Sequence, residues 1–217
     1  MTTSFTEENY LKTIYHLQQQ SNNSVSTNSI SEALQTKAAS VTDMLKKLAD
    51  KQLINYEKYQ GVTLTHHGQK NALSIIRKHR LWEVFLVEKL NFKWDEVHEV
   101  AEELEHIHSE KLINRLDEFL DFPEFDPHGD PIPNSKGEIK PVKLLPLNSL
   151  EIGKEGIISG FVNNTKEFLQ YLDKMDLLLG KTITIADKVA FDGSLVILVN
   201  NTEKNISKEV AKNILIA

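Results

Sequence analysis

The 217-residue chain has no cysteine, a net charge of −6 and a 40% apolar composition. Disulfides and thiolate metal sites are excluded, so any metal site must use oxygen and nitrogen donors. The N-terminus has no basic, apolar leader, and no apolar run approaches the roughly 18 residues of a membrane span, which predicts a soluble, cytoplasmic protein without a membrane partner.

The length allows one large domain or two to three small ones. Charge is unevenly spread. Residues 37–80 hold nine Lys/Arg and three Asp/Glu, and residues 95–126 hold twelve Asp/Glu and two Lys/Arg. One segment is suited to an anion and the other to a cation.

Residues 4–20 read as a helix, with Ser4 and Glu7 in a capping-box pattern and Leu11, Ile14, Tyr15 and Leu17 as its apolar stripe. A short helix carrying Ile30, Ala33 and Leu34 follows a polar loop. The turn Gln35–Lys37 leads to a second helix, from about Ala38 to Lys51, with Val41, Met44, Leu45 and Leu48 inward. Two helices around a three-residue turn make a helix-turn-helix pattern. In Leu53–Thr65, Ile54 and Tyr56 alternate on one side and Val62 and Leu64 on the other, with Gln60-Gly61 at the turn. This hairpin is a wing. DNA contacts are expected from Lys37, Ala39, Ser40, Thr42, Asp43, Lys46 and Lys47 on the outer face of the second helix, and from Lys58 on the wing. Small residues let the backbone approach the bases, and lysines neutralise phosphates. The alternative is a helix-turn-helix used for packing or protein contact.

Thr65 can cap a helix from His66 to about Leu90, apolar enough at Ile75, Ile76, Trp82, Phe85, Leu86 and Leu90 to serve as a dimer interface. It carries His79 and Glu83 one turn apart. The stretch Asp95–Arg115 reads as a further helix, with Val97, Val100, Ala101, Leu104 and Ile107 in one apolar stripe. His98, Glu102, Glu105 and His106 fall on a separate arc and converge. With no cation among them, these side chains suit a divalent metal better than they suit stability. The alternative is a solvated acidic face. The short Asn91–Trp94 connection lets the two helices pack as a hairpin, with His79, Glu83 and His98 close together.

All six prolines fall between Pro123 and Pro146 and mark a linker or ordered loop. Beyond it, residues 152–162, 181–187, 189–191 and 195–199 read as short strands, with Asp192-Gly193 as a hairpin turn. Thr165–Asp173 reads as a helix, and Lys208–Leu215 as another. Such a pattern predicts a small SH3-like barrel. The fold class is α+β and mostly helical, with domains at 1–74 (winged helix), 75–140 (helical) and 150–217 (barrel), and a linker at 141–149.

The chain resembles the diphtheria toxin repressor family of metal-dependent transcriptional regulators over essentially its full length. The resemblance rests on Y-L-K-T-I-Y at 10–15, the winged helix at 27–65, R-K-H-R-L-W-E at 77–83, V-H-E-V-A-E-E-L-E-H at 97–106 and H-G-D-P-I-P at 128–133. It implies a homodimeric repressor, not an enzyme, that binds a palindromic double-stranded operator and takes no small organic substrate. It also implies two metal sites per subunit and control of metal-homeostasis genes. The ancillary site would map to His79, Glu83 and His98, with Glu167 or Asn164 from the C-terminal domain. The primary site would map to Glu102, Glu105 and His106, with Asn9 or the adjacent Glu8 from the first helix. Iron-type members have a cysteine where this chain has Glu102, so the resemblance points to the manganese-responsive branch, with Fe²⁺ as the alternative metal. Two other readings stand beside it. One is a di-metal carboxylate enzyme of the ferritin-like kind, built on the Glu103/His106 spacing. The other is a metal-independent winged-helix regulator.

Overall fold

The computed structural model describes residues 3–21, 24–57 and 60–217. Its contacts divide the chain into two units. The first is Met1–His79, Glu102–Arg115 and Pro133–Ile139; the second is Arg80–Ala101, Leu116–Ile132 and Lys140–Ala217.

In the first unit, α1 (Phe5–Ser21) opens with the predicted capping box. The Ser4 N–H donates to Glu7 Oε2 (2.8 Å), and the Glu7 N–H donates to Ser4 Oγ (3.4 Å). Helix α2 (Thr27–Ala33) begins at Ser26, whose hydroxyl accepts the Ser29 N–H. Helix α3 (Ala38–Asp50) follows after a turn in which Gln35 takes a positive φ of 48°. Leu11, Ile14, Ile30, Val41, Leu45 and Leu48 are all fully buried in one core. Truncating any of the leucines or isoleucines to alanine would cost about 2–5 kcal/mol.

The wing is an antiparallel pair, β1 (Ile54–Glu57) and β2 (Gly61–Leu64). Its register sets Ile54 opposite Leu64 and Tyr56 opposite Val62, so these four apolar residues share one face of the ribbon and pack on the helices. Gly61 has a φ of +89°, and a Cβ there would sit 2.8 Å from Ser24 Oγ. Only glycine fits that turn.

Helix α4 (His66–Leu90) is capped as predicted, with the Gly68 N–H donating to Thr65 Oγ1 at 3.0 Å. The single helix expected over Asp95–Arg115 is broken. Helix α5 (Val97–Leu104) stops, and α6 (Glu110–Phe119) starts afresh. At the new start the Ser109 hydroxyl accepts the Leu112 N–H (3.3 Å), and the Ser109 carbonyl accepts the Ile113 N–H (3.1 Å). A serine that caps offers the backbone an alternative to continuing the helix, and β-branched Ile107 between two histidines does little to resist it. Glu105 and His106 therefore leave the helix, and the four polar residues do not share one helical face.

In the second unit, strands β3 (Leu145–Pro146), β4 (Glu155–Phe161), β5 (Thr182–Lys188), β6 (Leu195–Val199), β7 (Thr202–Ile206) and β8 (Ile214–Ile216) form one antiparallel sheet. The strand order is β3-β8-β4-β5-β6-β7. Helices α7 (Lys166–Lys174) and α8 (Lys208–Asn213) complete it. Ile158, Leu169, Leu172, Leu177, Ile183 and Ile197 form the centre of its core. The expected strand at 189–191 is instead the hairpin turn itself. The Val189 N–H donates to the Ser194 carbonyl, the Gly193 N–H to the Val189 carbonyl, and Phe191 is exposed. Three strands have no counterpart in the sequence reading. β3 and β8 are too short for a period to register. β7, T-E-K-N-I, buries only its last residue because it is a sheet edge. Among the described residues no helix is long and apolar enough to cross a membrane.

Candidate metal centres and nucleic-acid interface

In the first unit the acidic cluster is centred on Glu105, which is fully buried. A carboxylate there needs partners to remain ionised. His79 Nδ1 lies 2.6 Å from its Oε2, and Lys12 Nζ lies 2.7 and 2.9 Å from its two oxygens. Burial raises the Glu105 pKa, but the His79 hydrogen bond and the Lys12 charge outweigh it and hold it below the usual carboxylate range. Lys12 also reaches the half-exposed Glu102 at 3.4 Å.

His106 Nδ1–H donates to Glu8 Oε2 at 2.6 Å. Glu8 is itself buried, and its other oxygen accepts the Thr3 hydroxyl at 2.7 Å. The ring of Phe5 lies 3.7 Å from that of His106. His106 Nε2 is buried, has no hydrogen-bond partner among the described residues, and lies 3.6 Å from Glu105 Oε1. An imidazole held by a carboxylate on one nitrogen, with a bare lone pair on the other, is prepared as a metal ligand. From α1, this cluster is met by Glu8 and Lys12, one helical turn apart. Asn9 projects about 100° away from Glu8 around the helix and, among the described residues, makes no hydrogen bond to the cluster. The cluster does contain a cation, contrary to the reading of residues 95–115 alone, because Lys12 arrives from a distant part of the chain.

A second cluster lies in the second unit. Glu83, 2% exposed, faces His98 Nδ1 at 3.3 Å and His128 Nδ1 at 3.6 Å. The rest of the His98 side chain is exposed. Asp126 and His128 are additions that the sequence reading did not supply. Glu83, Asp126 and His128 offer ligand atoms within 4.8 Å of one another. The available signal was D-P-H-G-D, in which carboxylates flank a histidine beside a glycine. Asp126 Oδ1 accepts the N–H groups of His128 (2.8 Å) and Asp130 (3.0 Å), while Arg80 Nε lies 3.4 Å from Oδ2. His128 Nε2–H donates to the Trp94 carbonyl at 2.8 Å, which leaves Nδ1 facing Glu83.

Burial, then the repulsion of Glu83 and Asp130, pushes Asp126 up to about 7 against the pull of Arg80. Burial alone would lower His128, but its hydrogen bond and attraction to Glu83 raise it to about 9. A carboxyl raised in this way by burial and by neighbouring carboxylates would be favoured in its ionised form by added positive charge. Of the two candidates from the C-terminal domain, Asn164 is brought to this cluster. Its Nδ2 donates to Asp130 Oδ2 at 3.4 Å, and its Oδ1 is buried without a hydrogen-bond partner among the described residues. Glu167 is exposed in the first turn of α7. His79, one turn before Glu83 on α4, turns its Nδ1 to Glu105.

Lys37, which caps α3, and Ala39, Ser40, Asp43, Lys46 and Lys47 on it are exposed. Thr42 is half-buried and donates its hydroxyl to the Ala38 carbonyl at 2.9 Å. Lys46 pairs with Asp43 at 3.2 Å, and Lys47 with the buried Glu7 at 3.1 Å. Among the described residues Lys37 shares its charge with no carboxylate at the helix start. Lys58 lies outside the described residues.

The winged helix, the helical segment and the terminal β domain each match a family model. The N-terminal DNA-binding domain of the iron dependent repressors matches residues 2–62, and their metal binding and dimerisation domain matches residues 65–134. A FeoA domain, the SH3-like part, matches residues 145–217. The chain belongs to the iron-dependent repressor family.

This repressor is 37% identical over 114 residues to an uncharacterized HTH-type transcriptional regulator of Methanocaldococcus jannaschii, a match covering 52% of this chain and 91% of the relative. It is 34% identical over 128 residues to the iron-dependent repressor IdeR of Mycobacterium leprae, covering 59% of this chain and 55% of IdeR. The chain thus spans about half the length of that relative. A manganese-dependent transcriptional repressor, solved in complex with manganese, superposes with a TM-score of 0.87 at 31% identity, covering 97% of this chain and 99% of the other. These are regulators, not enzymes. The ferritin-like reading falls with them, since a wing and a β domain have no place in a four-helix bundle.

Proposed function

We propose that the chain is a metal-activated, homodimeric repressor that binds palindromic operator DNA in the cytoplasm and controls genes of metal-ion homeostasis. The observation that carries this is the His106 imidazole: Nδ1 is fixed by Glu8, and Nε2 is buried beside Glu105 without a hydrogen-bond partner among the described residues.

Glu102, Glu105 and His106 would hold one divalent ion, with Glu8 orienting the imidazole. Glu83, His98, Asp126 and His128 would hold a second, with His79 one turn away on α4 and Asn164 Oδ1 as an outer donor. The donors are carboxylate oxygens, an amide oxygen and imidazole nitrogens, a hard set that favours Mn²⁺, with Fe²⁺ as the alternative. Bound there, the ion would supply a concentrated double positive charge to the gathered acids.

Glu8 and Lys12 stand on α1, within the segment matched to the DNA-binding domain, and residues 102–106 lie in the segment matched to dimerisation. Whatever tightens the grip of residues 102–106 on α1 therefore fixes the recognition helix relative to the dimer segment. A dimer with two recognition helices at one spacing matches a two-fold operator. Leu90, Phe119 and Phe122, each more than half exposed, supply apolar surface for the second copy.

The test is fluorescence anisotropy on DNA upstream of the chain's own or neighbouring transporter genes, at fixed salt, with EDTA, with Mn²⁺, and anaerobically with Fe²⁺. Binding is expected only with metal, and Glu105→Ala or His106→Ala should abolish the metal dependence while the protein stays folded. Equal binding in EDTA would make the chain a metal-independent winged-helix regulator and overturn the proposal.

A further inference from the structure

The first acid cluster is gathered around a lysine. Lys12 Nζ contacts both oxygens of Glu105, at 2.7 and 2.9 Å, and Glu102 Oε1 at 3.4 Å. The Lys12 side chain is 14% exposed and that of Glu105 is fully buried. Packing does not demand this arrangement. Leu11 and Ile14 supply the core side of α1, and a lysine stem can as easily carry its charge outward to water. Glu8, one turn earlier, is engaged by His106 and Thr3, so the ammonium is left to Glu105 and Glu102. A second ammonium, Lys78, is more than nine-tenths buried within the influence of Glu8 and Glu105.

We infer that Lys12 is the resident counter-ion of the Glu102/Glu105/His106 site and sets the metal concentration at which the repressor responds. The inference rests on the assignment of those three residues as metal ligands. An ammonium and a divalent ion need the same carboxylate oxygens, and two cations a few ångströms apart repel strongly where water is scarce. Lys12 must therefore release Glu105 before that carboxylate can serve a metal ion. The exchange replaces one positive charge by two, so the cluster gains one unit of charge instead of two. A tethered competitor of this kind weakens metal affinity. It also discriminates against monovalent ions, which bring no more charge than the ammonium already supplies. Lysine suits the role because it is a compact charge on a flexible stem, without the planar fork that locks arginine onto a carboxylate.

The test uses the full-length protein at fixed ionic strength, with Mn²⁺ affinity read by competition against a fluorescent chelator and thermal stability read in EDTA. Lys12→Met should bind Mn²⁺ more tightly, on the order of 10- to 100-fold, and melt lower in EDTA because buried Glu105 keeps His79 but loses its ammonium partner. Lys12→Gln, which keeps a donor without the charge, should also tighten binding and serves if the methionine variant does not fold. Lys12→Arg, which keeps the charge and holds the carboxylate more firmly, should bind Mn²⁺ no more tightly than wild type. Unchanged Mn²⁺ affinity in folded Lys12→Gln, or tightening in Lys12→Arg equal to that in Lys12→Gln, would overturn the role of Lys12. Wild-type Mn²⁺ affinity that is insensitive to Glu105→Ala would overturn the ligand assignment beneath it, and the inference with it.

Discussion

Glu8 and His106 are separated by nearly a hundred residues of sequence, yet their side chains meet at 2.6 Å, with both groups buried to about nine-tenths or more. The carboxylate fixes which imidazole nitrogen carries the proton and so which one is free. Glu8→Ala should weaken Mn²⁺-dependent operator binding by about 10- to 100-fold in metal concentration. Glu8→Gln, whose amide oxygen can still accept the proton, should be milder. The midpoint of a Mn²⁺ titration followed by anisotropy reads both, and an unmoved midpoint in the alanine variant would remove Glu8 from the site.

Glu7 lies about 100° round α1 from Glu8 and has a different task. It accepts the Ser4 N–H and pairs with Lys51 at 2.7 Å and Lys47 at 3.1 Å. Burial alone would raise its pKa, but these partners outweigh it and hold it at about 2, against an ordinary 4.5. A carboxylate depressed in the folded state contributes its stability above about 4.5, and that contribution is lost as pH falls toward 2. Glu7→Gln should therefore destabilise the protein by roughly 2 kcal/mol at pH 7. The deficit should narrow as pH falls below 4.5. Urea unfolding of both proteins across that range checks this, and a deficit independent of pH would contradict it.

Gly129 closes the turn that aims Asp126 and His128. Its φ is +89°, and a Cβ would fall 2.4 Å from the Ser159 carbonyl oxygen and 2.7 Å from Gly160 Cα. Both obstacles are backbone and cannot swing aside. Gly129→Ala should cost about 2–4 kcal/mol and lower the melting temperature by roughly 5–10 °C, as read by circular dichroism. Wild-type melting would show that the turn can open without loss.

Lys37 precedes α3 with an outward charge, whereas Lys46 and Lys47 are each shared with a carboxylate. Lys37→Ala should weaken binding to all DNA sequences alike and reduce the slope of log affinity against log salt by about 1. A change confined to one operator position would instead mean that Lys37 reads a base.

Local sequence patterns determined the elements of this protein. The capping box at Ser4, the bounds of α4, the helix pair and the wing all follow from short-range periodicity, caps and turn residues, which act over a few residues whatever the fold. The acid and histidine content of residues 95–106 likewise pointed to a cation site, which the metal titrations above test. Local pattern was weakest where tertiary context decides. It ran one helix through Ser109, where a cap restarts the chain, and it missed β7, an edge strand with too few buried residues to show a period.

Only the tertiary structure decided which side chains meet. It sent His98 to Glu83, placed Glu105 and His106 against α1, supplied Asp126 and His128 from a loop, and set Lys12 among the acids. These contacts depend on how distant segments pack. A buried carboxylate takes whichever partner the packing delivers, because leaving it without one costs more than any local preference can repay.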